Sequence, residues 1–215
     1  MSDWKMSIEH VASKLEGLDE EREKLLRVTR ELTRLAREVV FKIHSGKLGE
    51  AEPLISSMNE KKSVIDGYRE KYPMLYYSGS VNNALTEYVE AVALYRIVAG
   101  KSIPAFTELE VTPSSYLAGL GDVVGELRRH ALNLVREERL EEAWSMLRLM
   151  EEIYVEISKL SFPEALIPGV RHKMDVARVL LENTRKDLVF YEKSSKLVEK
   201  LEAAIRACGK VEVQG

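Results

Sequence analysis

The apolar residues of this chain recur at intervals of three and four over long stretches. The clearest row lies early in the chain and consists of Leu25, Val28, Leu32, Leu35, Val39 and Ile43. This spacing places side chains on one face of an α-helix. Nothing alternates with period two for long enough to predict a strand. The pattern therefore predicts an all-α protein.

Glycines, prolines and serines cluster between the periodic stretches and divide them into helices. Helices are predicted at about residues 4–45, 47–70, 81–99, 113–137 and 139–160, with a C-terminal helical region at about 165–207. Thr112-Pro113 is the strongest start signal, because a hydroxyl N-cap precedes a proline at the first helical position. A short helical turn is expected within residues 102–108. We expect residues 1–215 to form one domain, an elongated bundle of about seven helices.

Composition and charge limit the classes of function. Hydrophobic residues make up 45% of the 215 residues and charged residues 31%, which predicts a folded chain with a sizeable core. A net charge of −3 excludes a uniformly basic nucleic-acid binder, so any such binding needs a local basic face. The single cysteine, Cys208, excludes an internal disulfide framework. With no visible signal peptide and no apolar run of about 20 residues, we expect a cytoplasmic protein without membrane contact.

One side of the first helix carries arginines. Opposite the apolar row lie Arg27, Arg30, Arg34 and Arg37, here called the arginine face, with His44 further along. Guanidinium groups pair bidentately with phosphate oxygens, so this face favours binding of a nucleic-acid backbone. Among the arginines only Phe41 is aromatic, so readout of bases by stacking is not indicated. The alternative is an ordinary solvated helix face.

Two pairs of acids lie in otherwise apolar helices. Glu87 and Glu90 are three residues apart, and Asp122 and Glu126 are four apart, so each pair shares one helix face. Burying carboxylates without a counter-charge is costly, and four converging oxygen donors would suit Mg²⁺ or Mn²⁺. Such an ion can stabilise a phosphoryl transition state. The alternative is that the acids form ion pairs, for instance with Arg96 or Arg129.

Three glycines accompany the second acid pair: Gly119, Gly121 and Gly125. Each costs a helix about 1 kcal/mol relative to alanine. We interpret this as a need for close backbone approach, either by a packed helix or by a ligand.

These motifs resemble those of the translin/Trax family. Glu87-Tyr88-Val89-Glu90-Ala91 resembles the Glu-Tyr-Val-Glu-Ala motif of Trax-type members. A second stretch is similar to the corresponding Trax segment: Thr112-Pro113-x-x-Tyr116-Leu117-x-Gly119-x-x-Asp122-x-x-Gly125-Glu126-Leu127. The first helix, and residues 171–188, resemble the family more loosely.

The resemblance implies a function as well as a fold. It implies a hollow, octameric assembly that encloses RNA, and a Mg²⁺-dependent endoribonuclease whose metal ligands are Glu87, Glu90, Asp122 and Glu126. All four positions are acids here, which favours the Trax type over catalytically silent translin. The compact chain looks like the archaeal form, which would act as a homo-oligomer with the arginine face towards the interior.

Two other interpretations remain open at this point. One is an all-α nucleoside-triphosphate pyrophosphohydrolase of MazG type, which also holds Mg²⁺ on helical acid pairs. The other is a non-catalytic helical RNA-binding or scaffold protein, in which the acids only pair with arginines.

Overall fold

The structure, a computed structural model, describes residues 3–211, with side chains described for residues 3–207. The side chain of Cys208 therefore lies outside the described part. Every regular element within residues 3–211 is helical, which confirms the all-α prediction. The helices are α1 (Asp3–His44), α2 (Leu48–Asp66), α3 (Tyr68–Lys71), α4 (Pro73–Tyr76), α5 (Gly79–Val98), α6 (Phe106–Leu109), α7 (Pro113–Arg136), α8 (Leu140–Ser158) and α9 (Val170–Val211).

The long helices lie where the periodicity predicts them, and the structure differs from the prediction only in short segments between them. The short turn expected within residues 102–108 corresponds to α6, which the structure places slightly later, at Phe106–Leu109. The single-turn helices α3 and α4 were not predicted, and they bring the total between residues 3 and 211 above the seven expected. The second predicted helix is too long, because α2 ends at Asp66 and α3 begins after Gly67. The sequence predicts a loop at residues 76–80 before the third long helix, but this loop is shorter in the structure, because α4 ends at Tyr76 and α5 begins at Gly79. Pro73 occupies the first position of α4, where its fixed φ favours a helical turn.

The chain comprises two compact units. Of the described residues, the first unit contains 3–123 together with Ala165–Pro168, and the second contains Val124–Glu164 and 169–211. Helix α7 is continuous through the boundary at Val123. The single-domain expectation stays a prediction.

In the first unit, α1 packs against α2 and α5. The predicted apolar row of α1 is buried except for Val28, which is half-buried. Helix α5 is buried along most of its length, from Val81 to Ile97. Each fully buried aliphatic side chain contributes about 1.5–3 kcal/mol, so this three-helix contact forms the core of the unit.

In the second unit, α8 packs against α9. Leu147 and Met150 of α8 and Leu188 of α9 are buried. Arg128 of α7 donates hydrogen bonds to Thr184 and Asp187 of α9, each at 2.9 Å. Across the described residues, no helix combines the length and apolarity needed to span a membrane.

Candidate functional site

Helices α5 and α7 are in tight contact at Gly119. A Cβ atom on Gly119 would lie 2.6 Å from Val89 Cβ and 2.8 Å from the Thr86 carbonyl oxygen. No side chain fits at those distances, so this crossing requires glycine. The prediction of close backbone approach is confirmed at Gly119. At Gly125 a Cβ would meet only Leu180 Cδ1 of the same unit, at an ordinary 3.8 Å.

A cluster of hydroxyls joins the beginnings of the same two helices. Asn82 Oδ1 accepts hydrogen bonds from Thr112 Oγ1 at 3.0 Å, Ser114 Oγ at 2.7 Å and Ser115 Oγ at 2.8 Å. Thr112 Oγ1 also accepts from the Ser115 backbone N–H at 3.1 Å, which confirms the predicted N-cap. Ser115 is fully buried, so these bonds are shielded from water. They fix the position of α5 along α7.

Three of the four predicted acids belong to the first unit. Glu87 and Glu90 are half-buried on α5. They directly follow Thr86 and Val89, the two residues that lie against Gly119. Asp122 is half-buried on α7, three residues after Gly119. Because residues three apart share a helix face, the tight crossing places Asp122 beside the contact of the two helices. Glu126, one turn further along α7 and half-buried, belongs to the second unit.

Glu87 carries an ion pair with the arginine face. Arg37 Nη2 of α1 donates to Glu87 Oε1 at 3.1 Å. The side chain of Arg37 is 71% exposed and that of Glu87 is 29% exposed. The hydrogen bond that Arg37 donates to the Glu87 carboxylate raises the pKa of Arg37 above its ordinary value, and the charge of Glu90 adds to this shift. Glu87 therefore forms an ion pair, as the alternative interpretation expected. Its partner is Arg37 and not Arg96, which pairs with Glu108 instead.

The acids can be tested for their fit to a divalent cation. Within residues 3–207, no group of three or more His, Cys, Asp or Glu side chains stands ready to hold a metal ion. The chemistry of the donors nevertheless fits Mg²⁺ or Mn²⁺, because all of them are carboxylates and all are half-buried. Glu87 already holds a cationic group, the Arg37 guanidinium. A divalent ion would compete with that guanidinium for the carboxylate.

The arginine face is exposed along α1. All four of its arginines are exposed, and Arg34 pairs with Glu38 of the same helix at 3.3 Å. Phe41 lies on the same side of α1, one turn beyond Arg37, and is 62% exposed. His44 is half-buried, so it contributes less to this surface than the arginines. The role of the face in RNA binding stays a prediction.

Sequence reasoning missed two features of the first unit. It did not connect Arg37 with Glu87, because the two residues are 50 positions apart and no local pattern relates them. It also missed a cavity between α2 and α5, whose lining residues are spread over three segments of the chain.

Together, these features define a class of protein: an all-α chain with half-buried acids near a glycine crossing and an arginine-lined helix that pairs with one of them. The translin family model matches residues 20–184. The chain belongs to the translin family.

Two relatives show how far the similarity extends. The chain is 30% identical over 195 residues to an uncharacterised protein of Methanocaldococcus jannaschii, covering 90% of this chain and 86% of that one. It is 22% identical to translin-associated protein X of Rattus norvegicus, covering 61% of this chain and 59% of the rat protein. The match thus spans less than two thirds of the rat protein.

Solved structures share the fold. AfC3PO in complex with duplex RNA is 36% identical, with a TM-score of 0.82 over 87% of this chain and 97% of that chain. Apo-NeC3PO has a TM-score of 0.77 at 22% identity, covering 86% of this chain and 96% of that chain, and so supports the fold alone.

Proposed function

We propose that this chain is an RNA-binding, Mg²⁺-dependent endoribonuclease whose acids are Glu87, Glu90, Asp122 and Glu126. The observation that carries the proposal is the ion pair between Arg37 and Glu87. In this pair a guanidinium of the arginine face lies directly against an acid of the α5–α7 crossing. Family membership supports the same function, as does the likeness to AfC3PO, whose structure contains duplex RNA.

The proposed roles follow from where the side chains lie. Glu87, Glu90 and Asp122 would hold Mg²⁺ or Mn²⁺, with Glu126 added because it follows Asp122 by one helical turn. A bound divalent ion supplies stabilisation of the charge that develops on the phosphate during hydrolysis. Arg37 binds the neighbouring phosphate through its guanidinium. Arg27, Arg30 and Arg34 hold the RNA backbone along α1, without selecting bases.

The deciding experiment uses a short labelled single-stranded RNA. We expect the wild-type protein to cleave it with Mg²⁺ and to leave it intact with EDTA. Glu126→Ala should abolish cleavage and keep RNA binding equal or tighter, since a negative charge is removed. Glu141→Ala, which changes an exposed acid of α8, is the matched control and should cleave normally. Cleavage that persists in EDTA, or in the Glu126 variant, overturns the proposed site.

The same assay separates the alternatives. Family membership removes the support for a MazG-type pyrophosphohydrolase, which would cleave free nucleotides and spare RNA oligomers. A non-catalytic scaffold would bind RNA without cutting it at any Mg²⁺ or Mn²⁺ concentration. Its RNA binding would still fall when the arginine face is changed.

Self-association is part of the proposal, and α9 offers a surface for it. Its C-terminal half exposes a row of large apolar side chains at helical spacing: Phe190, Leu197, Leu201 and Ile205. Such rows are typical of helix–helix interfaces between subunits. We propose a homo-oligomer, with eight subunits as the family expectation. Light scattering should show it, and Leu201→Glu with Ile205→Glu should lower the mass; an unchanged mass would exclude this surface.

A further inference from the structure

Phe41 is an exposed aromatic residue in the middle of the arginine face. Helical residues advance by about 100° around the axis, so Phe41 lies about 40° from Arg37 and about 20° from Arg34. The buried residues Leu32 and Val39 lie on the opposite side of α1. Phe41 is 62% exposed, so the core of the first unit does not hold its ring. The ring and the four guanidinium groups therefore share one side of the helix.

Phe41 is isolated among polar residues on this part of α1. Within residues 16–44 it is the one large hydrophobic residue that is exposed. Its neighbours one turn away on either side, Arg37 and Ser45, are polar and exposed. The C-terminal half of α9 differs, because several apolar side chains there form a row that suits another helix. One ring among cations offers no such row, so this surface does not favour a protein helix as its occupant.

An aromatic ring beside guanidinium groups suits an anionic chain that carries flat bases. Arginine binds the phosphates of such a chain, and an aromatic face stacks on a base. The ring–ring and cation–π contacts among the described residues do not involve Phe41. RNA, the proposed ligand of this helix, therefore complements both the cations and the ring.

The spacing along α1 relates Phe41 to the acids. Phe41 lies one turn beyond Arg37, about 6 Å further along the helix axis. That separation is comparable to the distance between a phosphate and the base of its own nucleotide. Arg37 lies against Glu87 of the proposed nuclease site. A base on Phe41 would thus belong to a nucleotide whose phosphate Arg37 can reach.

We infer that Phe41 stacks on an unpaired base of the bound RNA, next to the phosphate that Arg37 binds. This role rests on the RNA binding of the proposed function. Stacking holds one base beside the acids and does not read its identity, because every base has a π-face. Phe41 is then a substrate-binding residue that fixes where the strand lies along α1.

Two labelled strands of equal length provide the test. One is a short oligouridylate, and the other has hydrogen in place of every base. Fluorescence anisotropy in EDTA measures their binding without cleavage. Phe41→Ala should weaken oligouridylate binding at least about fivefold, the lower end of what one stacked base contributes. The base-free strand should bind the variant and the wild type equally. Phe41→Trp, which keeps an aromatic face, should retain the affinity for oligouridylate.

The controls separate stacking from charge and from folding. Stacking releases no counterions, so Phe41→Ala should leave the slope of log affinity against log salt unchanged. Arg30→Ala with Arg34→Ala should lower that slope. Phe162→Ala is the matched control, because Phe162 is an exposed phenylalanine of the second unit, and it should bind like the wild type. Thermal melting and light scattering check that the fold and the oligomer are preserved.

Three results would overturn the stacking. They are unchanged oligouridylate binding in Phe41→Ala, an equal loss of binding for both strands, and a lowered oligomer mass, which would place the ring at a subunit contact instead. The two proposals also fail in different ways. A wild-type protein that binds no RNA in EDTA refutes RNA binding and stacking together. One that binds oligouridylate but never cleaves RNA with Mg²⁺ refutes only the nuclease.

Discussion

Arg37 Nη2 on α1 lies 3.1 Å from Glu87 Oε1 on α5. This hydrogen bond joins the arginine face to the acids, and each partner has a second proposed ligand. Phosphate can replace the carboxylate on Arg37, and a divalent cation can replace the guanidinium on Glu87. RNA and the metal ion would then bind cooperatively. Phosphate bound to Arg37 frees Glu87 for the metal ion, and a metal ion bound to Glu87 frees Arg37 for phosphate.

Removing the guanidinium should make the acids more available. We expect Arg37→Gln to tighten Mn²⁺ binding by about two- to fivefold, since exposed ion pairs are worth about 1 kcal/mol or less. The same variant should bind RNA more weakly. Calorimetry without RNA measures the metal affinity. Arg34→Gln, whose partner is Glu38 on the same helix, is the control and should leave it unchanged. Weaker Mn²⁺ binding in Arg37→Gln would contradict the idea that a divalent cation replaces the Arg37 guanidinium on Glu87.

The arginine face should govern affinity for RNA and its dependence on salt. Arg30→Ala with Arg34→Ala should weaken binding to all sequences alike. On a single strand, the slope of log affinity against log salt should fall by about 0.7 for each phosphate that the variant no longer neutralises. Fluorescence anisotropy at several salt concentrations measures both effects. Arg136→Ala with Lys159→Ala removes two exposed cations of the second unit and serves as the comparison. Equally weakened binding in the two double variants would mean that the face has no special role.

Two glycines of α7 should respond oppositely to alanine. Gly119→Ala forces a Cβ against Val89 and should lower the free energy of unfolding by about 1–3 kcal/mol. Gly125→Ala has room and should be neutral or stabilising by up to about 1 kcal/mol. Urea denaturation measures both. Similar destabilisation at the two positions would show that the α5–α7 crossing does not depend on Gly119.

Tyr88 should make stability sensitive to alkaline pH. Burial raises its pKa from the ordinary 10 to about 12, with Asp66 and Glu108 adding to the shift. Below pH 10 the phenol is neutral in both states, so this contribution is fully present. Above it the unfolded phenol ionises first, and stability falls by up to about 1.4 kcal/mol per pH unit until about pH 12. Tyr88→Phe should flatten this fall between about pH 10 and 12, whereas Tyr77→Phe, at an exposed tyrosine, should not. If the free energy of unfolding falls equally with pH in Tyr88→Phe and in the wild type, the buried phenol of Tyr88 is not the cause of the fall.

Much of the fold could be predicted from sequence because its determinants are local. The row from Leu25 to Ile43 has helical spacing, and Thr112 with Pro113 marks a helix start. Single turns such as α4 were harder to predict. They involve too few residues for periodicity to show, and their ends depend on what packs against them.

The candidate site also has features that the local sequence predicts and features that only the packing of distant helices determines. Residue spacing places Glu87 with Glu90, and Asp122 with Glu126, on shared helix faces, and the cost of helical glycines points to a close approach of two helices or a ligand. Only the tertiary structure shows that Gly119, rather than Gly125, packs against another helix with no room for a Cβ, and that Arg37 reaches Glu87. It alone brings Asp66 and Arg96 to one cavity. Helical periodicity is a property of neighbours along the chain, whereas these arrangements depend on how distant helices pack, which no local pattern specifies.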